Sequence, residues 1–217
     1  MRRRNDGTIE SEAEMSILRK PTLGARSAGT LMTPEEFDAV TEYDERYSYE
    51  LIEGVLVVSP IPSEAESDPN EELGVMLRNY RANHPRGSVI DLTLSERYVR
   101  TLNSRRRADR VVWIGLGRLP DTARDIPTVV VEFVSKSRRD RIRDYQHKRQ
   151  QYLDLGVTEY WVIDRFRRNM TVFRRKPPTS GVETVLIVNE TETFRTDLLP
   201  GFELALANLL AVADKWQ

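Results

Sequence analysis

The sequence predicts an α/β (α+β) fold, a central mixed β-sheet flanked by helices. Three observations carry that expectation. Apolar, β-branched runs recur at 55–58, 111–114, 128–134 and 159–164, and runs of this kind bounded by turn residues read as strands. The order strand, helix, strand over 128–164 requires a parallel crossover. The other strands are joined by short turns and read as antiparallel, which makes the sheet mixed.

Taken in order, residues 1–31 mix charge with Gly, Ser and Thr and lack apolar periodicity, so they read as a disordered arm before a single domain over 32–217. Thr33-Pro34-Glu35-Glu36-Phe37 starts a helix, with Thr33 as N-cap, proline at the first helical position and acids in the first turn. Residues 49–58 form a hairpin turning at Glu53-Gly54, and the Pro- and acid-rich stretch 59–69 reads as a loop. Leu73, Met76, Leu77 and Tyr80 fall at helical spacing over 70–83, before His84-Pro85-Arg86-Gly87 ends the helix. Strands are expected at 88–92, 97–102, 111–114 and 128–134. A helix over 138–155 is stopped by Gly156. Strands at 159–164, 170–174 and 184–188 follow, then a turn at Pro200-Gly201 and a short helix over 205–213.

Composition narrows the chemistry. The chain has 217 residues, 39% of them hydrophobic and 31% charged, enough for a core in one ordinary domain. No apolar stretch approaches the length of a membrane span. The basic start at Arg2-Arg3-Arg4 is not followed by an apolar signal region, so a cytoplasmic protein without membrane attachment is expected. There are no cysteines, and His84 and His147 are the only two histidines. A thiolate site is thereby excluded, two histidines argue against a histidine-rich zinc site, and a metal would need oxygen ligands, which points to Mg2+ or Mn2+. The net charge of −1 hides an asymmetry: residues 33–72 hold thirteen acids against Arg46 alone, and 97–176 hold twenty-one Lys/Arg against nine Asp/Glu. A basic half suits a polyanionic partner, and equally suits pairing with the acidic half.

Asp109 and Glu132 are the residues that ask for an explanation. Each adjoins or interrupts an apolar strand run, where an uncompensated charge is costly. They are 23 residues apart, room for a strand, a loop and a neighbouring strand, so both carboxylates can reach one sheet end. Two carboxylates plus a lysine there would make a metal-dependent phosphodiester-cleaving site. Lys148 falls one helical turn from Asp144 and from Tyr152 and is the first choice for that lysine, with Lys136 second. The bland alternatives are salt bridges from Asp109 to Arg105, Arg106, Arg107 or Arg110 and from Glu132 to a lysine, and a surface Asp144–Lys148 pair. Arg107, Arg138, Arg139 and Arg141 border the pair and are candidate phosphate contacts, or a solvated face.

These residues resemble a known family. Tyr49-Glu50-Leu51-Ile52-Glu53-Gly54-Val55-Leu56-Val57-Val58-Ser59-Pro60 looks like its N-terminal signature. Val129-Val130-Val131-Glu132-Phe133-Val134-Ser135, Lys148 with Tyr152, and Gly156-Val157-Thr158-Glu159-Tyr160-Trp161-Val162-Ile163-Asp164 look like its later ones. The family is the bacterial Uma-type restriction-endonuclease group of the PD-(D/E)XK nuclease superfamily, and the likeness runs from about Thr33 to Gly201. It implies a restriction-endonuclease-like fold that cuts DNA with magnesium. It assigns Asp109 and Glu132 to the metal, Lys148 to the catalytic lysine and Glu50 to a supporting acidic position. The sequence departs in having Ala108-Asp109 for Pro-Asp and Glu132-Phe133-Val134 for Glu-X-Lys. A histidine frequent in relatives is missing from 63–70, where Glu71 or Glu72 would have to substitute. The expected activity is that of a magnesium-dependent endodeoxyribonuclease, with a homodimer expected for double-strand cutting. The rival expectation is a non-catalytic module of the same fold that binds nucleic acid or protein.

Overall fold

The structure, a computed structural model, describes residues 22–135, 147–175 and 184–216. Among them, α1 is Pro34–Asp38, β1 Tyr47–Ile52, β2 Val55–Pro60, α2 Glu64–Asn83, β3 Ile90–Arg100, β4 Arg105–Ile114 and β5 Val129–Phe133. Next come α3 at Arg149–Leu155, β6 at Glu159–Asp164, β7 at Asn169–Arg174, β8 at Thr184–Asn189, β9 at Thr193–Phe194, β10 at Leu204–Ala205 and α4 at Leu206–Asp214. The described residues build an eight-stranded sheet in the order β2-β1-β4-β5-β6-β7-β8, with β3 also paired to β4. β5 and β6 are parallel, and the other pairs of this sheet are antiparallel. The mixed sheet and its parallel crossover are therefore present as expected.

Two apolar layers cover the sheet, and the strand alternation sorts residues between them. Val129, Val131 and Phe133 face a core with Leu73 and Leu77 of α2 and Leu206 and Leu210 of α4. Val130 and Val134 face the opposite core with Tyr152 of α3, Val111 and Tyr160. By the same alternation, Glu132 points to the α3 side. A third cluster of Leu23, Phe37, Tyr49, Leu51 and Leu56 stands under the N-terminal hairpin.

Local chemistry explains the edges of the elements. The Thr33 hydroxyl accepts from Glu36 N at 3.1 Å, and the Glu36 carboxylate accepts from Thr33 N at 2.7 Å, a closed capping box at the start of α1. Glu53 and Gly54 carry φ of 50° and 81° at the β1–β2 turn, the left-handed pair that a two-residue hairpin of primed type requires. Gly156 ends α3 at φ 115°.

Four expectations need correction. The arm does not extend to residue 31: Leu23 is buried and bridges Tyr43, and Leu31 bridges Val55, while residues 1–21 lie outside the described part. The stretch 59–69 is the end of β2 and the first turns of α2, which starts six residues before the predicted Asn70. The Glu66 carboxylate accepts from Ser63 N at 2.9 Å and opens that helix, and Pro69 is accommodated inside it. The strands expected at 88–92 and 97–102 are one strand, β3, interrupted by Glu96 at φ 53°. β4 begins six residues before Val111 and takes in the arginine run. Of the helix expected over 138–155, the first part lies outside the described residues and 149–155 is helical.

Candidate active site

The sheet forks at β4. One edge of this strand is paired along most of its length with β3. The other edge meets β1 at Leu51↔Arg105 and β5 at Arg110↔Val131, Val111↔Val130 and Val112↔Val129. Between those two contacts, residues 106–109 face a split where β1 and β5 diverge. Backbone polar groups left there must find other partners. Arg107 N donates to Glu50 Oε1 at 2.9 Å, and Arg107 O accepts from Lys148 Nζ at 3.2 Å. The split is therefore filled by charged side chains where a strand would otherwise run.

Continuing the β4–β5 register by one position sets Asp109 opposite Glu132, and directly opposed residues share a face with Cβ atoms about 5 Å apart. Asp109 is fixed from both sides: its Oδ2 accepts from Phe133 N at 2.5 Å, and its carbonyl accepts from Asn70 Nδ2 at 2.8 Å. Glu132 is 3% exposed. Its Oε2 lies 2.8 Å from Lys148 Nζ, and its Oε1 accepts from the Tyr152 hydroxyl at 3.0 Å. Glu50 Oε1 lies 3.7 Å from the same ammonium. Complete burial, then the charges of Glu132 and Glu50, push the Tyr152 hydroxyl well above its ordinary range, so it stays a donor to Glu132.

Asp109, Glu132, Lys148 and Glu50 thus line one cleft of about 260 Å3, together with Arg107 and Glu96. All four sequence-predicted catalytic residues are brought together. Lys148 sits one position before α3, where the helix reading put it inside a helix, and its buried side chain makes the Glu–lysine pair of the bland reading, with Glu132; Asp144, the other partner named for it, lies outside the described residues. The four arginines offered as partners for Asp109 are engaged by other groups. Arg105 pairs with Asp38, Arg106 donates to Gln151, Arg107 pairs with Glu96, and Arg110 donates to Asn70. Of the candidate phosphate contacts, Arg107 is at the cleft, with Nε 2.6 Å from Glu96 and Nη1 donating to Ser48 at 3.0 Å. Arg138, Arg139 and Arg141 lie outside the described residues, as do Lys136 and Asp144.

Sequence reasoning missed four contributors. Asn70 clamps Asp109 from α2 and also accepts from the buried Arg110, whose guanidinium packs where a Cβ on Gly74 would stand. Tyr152 shares a helix face with Lys148, a spacing that was visible, but its bond to Glu132 was not. Glu96 reaches the cleft through its left-handed kink in β3, and burial raises its carboxyl against the pull of Arg107. Glu66 lines the cleft, whereas Glu71 and Glu72 are exposed on α2 and do not substitute there.

The donor chemistry fits a hard divalent cation. Among the described residues no group of three or more Asp, Glu, His or Cys side chains forms a ready metal cage. Mg2+ keeps several waters and needs only one or two protein carboxylates, and Asp109 and Glu132 on opposed strand positions supply two. No helix among the described residues is long and apolar enough to cross a membrane.

Comparison with known proteins gives the fold and the family. No curated protein matches the sequence. A solved structure from Anabaena variabilis ATCC 29413, described as a "putative nuclease belonging to DUF820", is similar with a TM-score of 0.63 at 17% identity, covering 84% of this chain and 99% of that one. At that identity the likeness carries the fold, and the fold is nuclease-like. The family model Uma2, described as "Putative restriction endonuclease", matches residues 34–207, a span that holds all four cleft residues, and the chain belongs to that family.

Proposed function

We propose that the protein is a magnesium- or manganese-dependent DNA endonuclease whose phosphodiester-cleaving site is the cleft at the fork of the sheet. The observation that carries the reading is the buried set Glu50, Glu132, Lys148 and Tyr152 beside Asp109. Two glutamates and a lysine are held there away from water on the wall of an open cleft. Asp109 and Glu132 would hold the ion. When bound, it would polarise the phosphate and make a coordinated water acidic enough to supply hydroxide.

The chain's own residues do the rest. Lys148 orients the attacking water and offsets the negative charge that develops on phosphate. Its ammonium is itself aimed by Glu132, Glu50 and the Arg107 carbonyl. Tyr152 fixes the Glu132 carboxylate in one orientation. Glu50 holds the Arg107 amide and so keeps the open edge of β4 at a fixed distance from Lys148. Arg107 is the cationic side chain best placed to meet a phosphate on the cleft rim.

The test is nicking of supercoiled plasmid with Mg2+ or Mn2+ by wild type, Asp109→Ala and Glu132→Ala. Cleavage by wild type alone is expected. Cleavage that survives both substitutions would overturn the site. DNA binding that weakens steeply with salt, without cleavage, would make the protein a non-cutting binding module.

A further inference from the structure

Beside the cleft lies a second and larger cavity of about 470 Å3, within the size range of small-ligand pockets. Its walls are aromatic: Phe37, Tyr43, Tyr47, Tyr49 and Tyr98. The rings brace one another edge to face, Phe37 on Tyr98 at 5.5 Å and Tyr43 on Tyr49 at 5.9 Å. Two of the hydroxyls are committed to the backbone, Tyr49 donating to Asp44 O at 2.9 Å and Tyr98 to Tyr49 O at 3.0 Å. Those rings are rigid walls. Tyr43, 53% exposed, is the ring at the mouth.

This cavity and the cleft share one wall, made by Ile61, Glu96 and Arg107. A chain with its phosphate in the cleft therefore has one neighbouring group within reach of the aromatic walls. The charges say which group. Asp38 pairs with Arg100 at 2.5 Å and Glu96 with Arg107 at 2.6 Å, and Glu45 adds a further acid. Asp38 is also held by Arg105 at 2.9 Å, so the balance is near neutral with each of these arginines already engaged, which offers a phosphate no spare cation but tolerates a neutral heterocycle. Arg107 lines both hollows, and its Nη1 donates to Ser48 of the cleft.

Resting on the nuclease reading for its substrate class, we propose that the cavity is a nucleobase subsite. It takes one unpaired base next to the phosphate in the cleft and stacks it on Tyr43. Such a base comes from single-stranded DNA or from a nucleotide turned out of the duplex, because a stacked and paired base cannot present its face to a side pocket. The protein then favours unpaired or distorted DNA over regular duplex.

The experiment is equilibrium binding of a short single-stranded oligonucleotide carrying a fluorescent adenine analogue, with wild-type full-length protein in EDTA so that no cutting occurs. Quenching of the analogue on binding is expected. An otherwise identical oligonucleotide with abasic sugars should bind roughly 10-fold more weakly, the usual scale for loss of one stacked base. Tyr43→Ala should lose the quenching and a similar factor in affinity, while Tyr43→Phe should keep both. Tyr43 is exposed at the mouth, and circular dichroism of the variant confirms that it folds. Equal affinity for abasic and base-bearing strands, or full quenching by Tyr43→Ala, would overturn the subsite. So would a thermal shift with tetramethylammonium and none with a mononucleotide, which would mark the cavity as a cation cage. Because binding is read without metal, plasmid nicking without base dependence removes the subsite alone. Base-dependent binding without nicking removes the nuclease reading alone.

Discussion

Two buried glutamates sit at opposite ends of the parallel pair β5–β6. Glu132 and Glu159 are each 3% exposed, and the register Val129↔Glu159 and Glu132↔Val162 sets them three positions apart along the strands. Glu159 is closed in by protein: Oε1 accepts from Arg174 Nε and from the Thr196 hydroxyl, each at 2.8 Å, and Oε2 accepts from Trp161 Nε1 at 2.8 Å. Glu132 has a lysine and a tyrosine, and it lines a cleft beside a second carboxylate. Burial of a charge alone does not mark a site. The cleft does, and so does its place toward the carboxyl end of a parallel strand, where open α/β sheets place ligands.

The sharpest way to break this contrast is to neutralise each acid in turn. Glu132→Gln should lower plasmid nicking by roughly 10^2–10^3-fold with the fold retained, whereas Glu159→Ala should leave specific activity near wild type. The latter should cost about 3 kcal/mol in urea denaturation, since it strands a buried indole N–H and a guanidinium. A Glu159 variant that folds and has lost activity would erase the distinction. Removing the cations comes next. Lys148→Met leaves Glu132 and Glu50 without their shared ammonium and should cost about 3–5 kcal/mol, as well as activity. Arg174 is partly exposed, so Arg174→Met should cost less, about 1 kcal/mol, read by the same denaturation curves.

The hydroxyl donors give a smaller difference. Tyr152→Phe removes one buried hydrogen bond and should cost about 1–2 kcal/mol. It should also slow nicking by roughly 10-fold, because Glu132 is freed to rotate. Thr196→Val should cost about 1 kcal/mol with no effect on rate. The least effect is in the pH profile of stability. Tyr152 has a folded pKa raised above its unfolded value of 10.0. Its contribution is therefore fully present below pH 10 and is lost as pH rises through the folded value. Wild type should lose stability above pH 10 more steeply than Tyr152→Phe, measured by thermal denaturation across that range.

Glu132 was legible in the sequence because a charge in the middle of Val-Val-Val-Glu-Phe-Val contradicts the strand around it. Lys148 was legible through the family resemblance, because its helical spacing from Asp144 and Tyr152 fits an ordinary surface pair at least as well. The start of α2 was not read. The acids and prolines of 59–69 look like a loop by composition, although Ser63 and Glu66 stand at capping-box spacing and would have revealed it. The clamp by Asn70, the reach of Glu96 and the aromatic cavity could not have been read at all. The Asn70 clamp spans 39 positions and the cavity joins Phe37 to Tyr98, while Glu96 depends on a local kink at its own backbone; Asn70 and Tyr98 look locally like ordinary helix and strand residues. The disposition of the cleft depends on where β1 and β5 part, a property of the sheet and of no single segment.

The parting of those strands also makes the site self-reporting. The Arg107 amide is protected by the Glu50 carboxylate, outside any strand ladder, so its hydrogen exchange follows the opening of one ion-paired contact. In deuterium-exchange mass spectrometry, the peptide spanning β4 should exchange faster in Glu50→Gln while the peptide of β6 is unchanged. Occupancy of the cleft by cation or nucleic acid could then be followed at that one backbone hydrogen, with no reaction taking place.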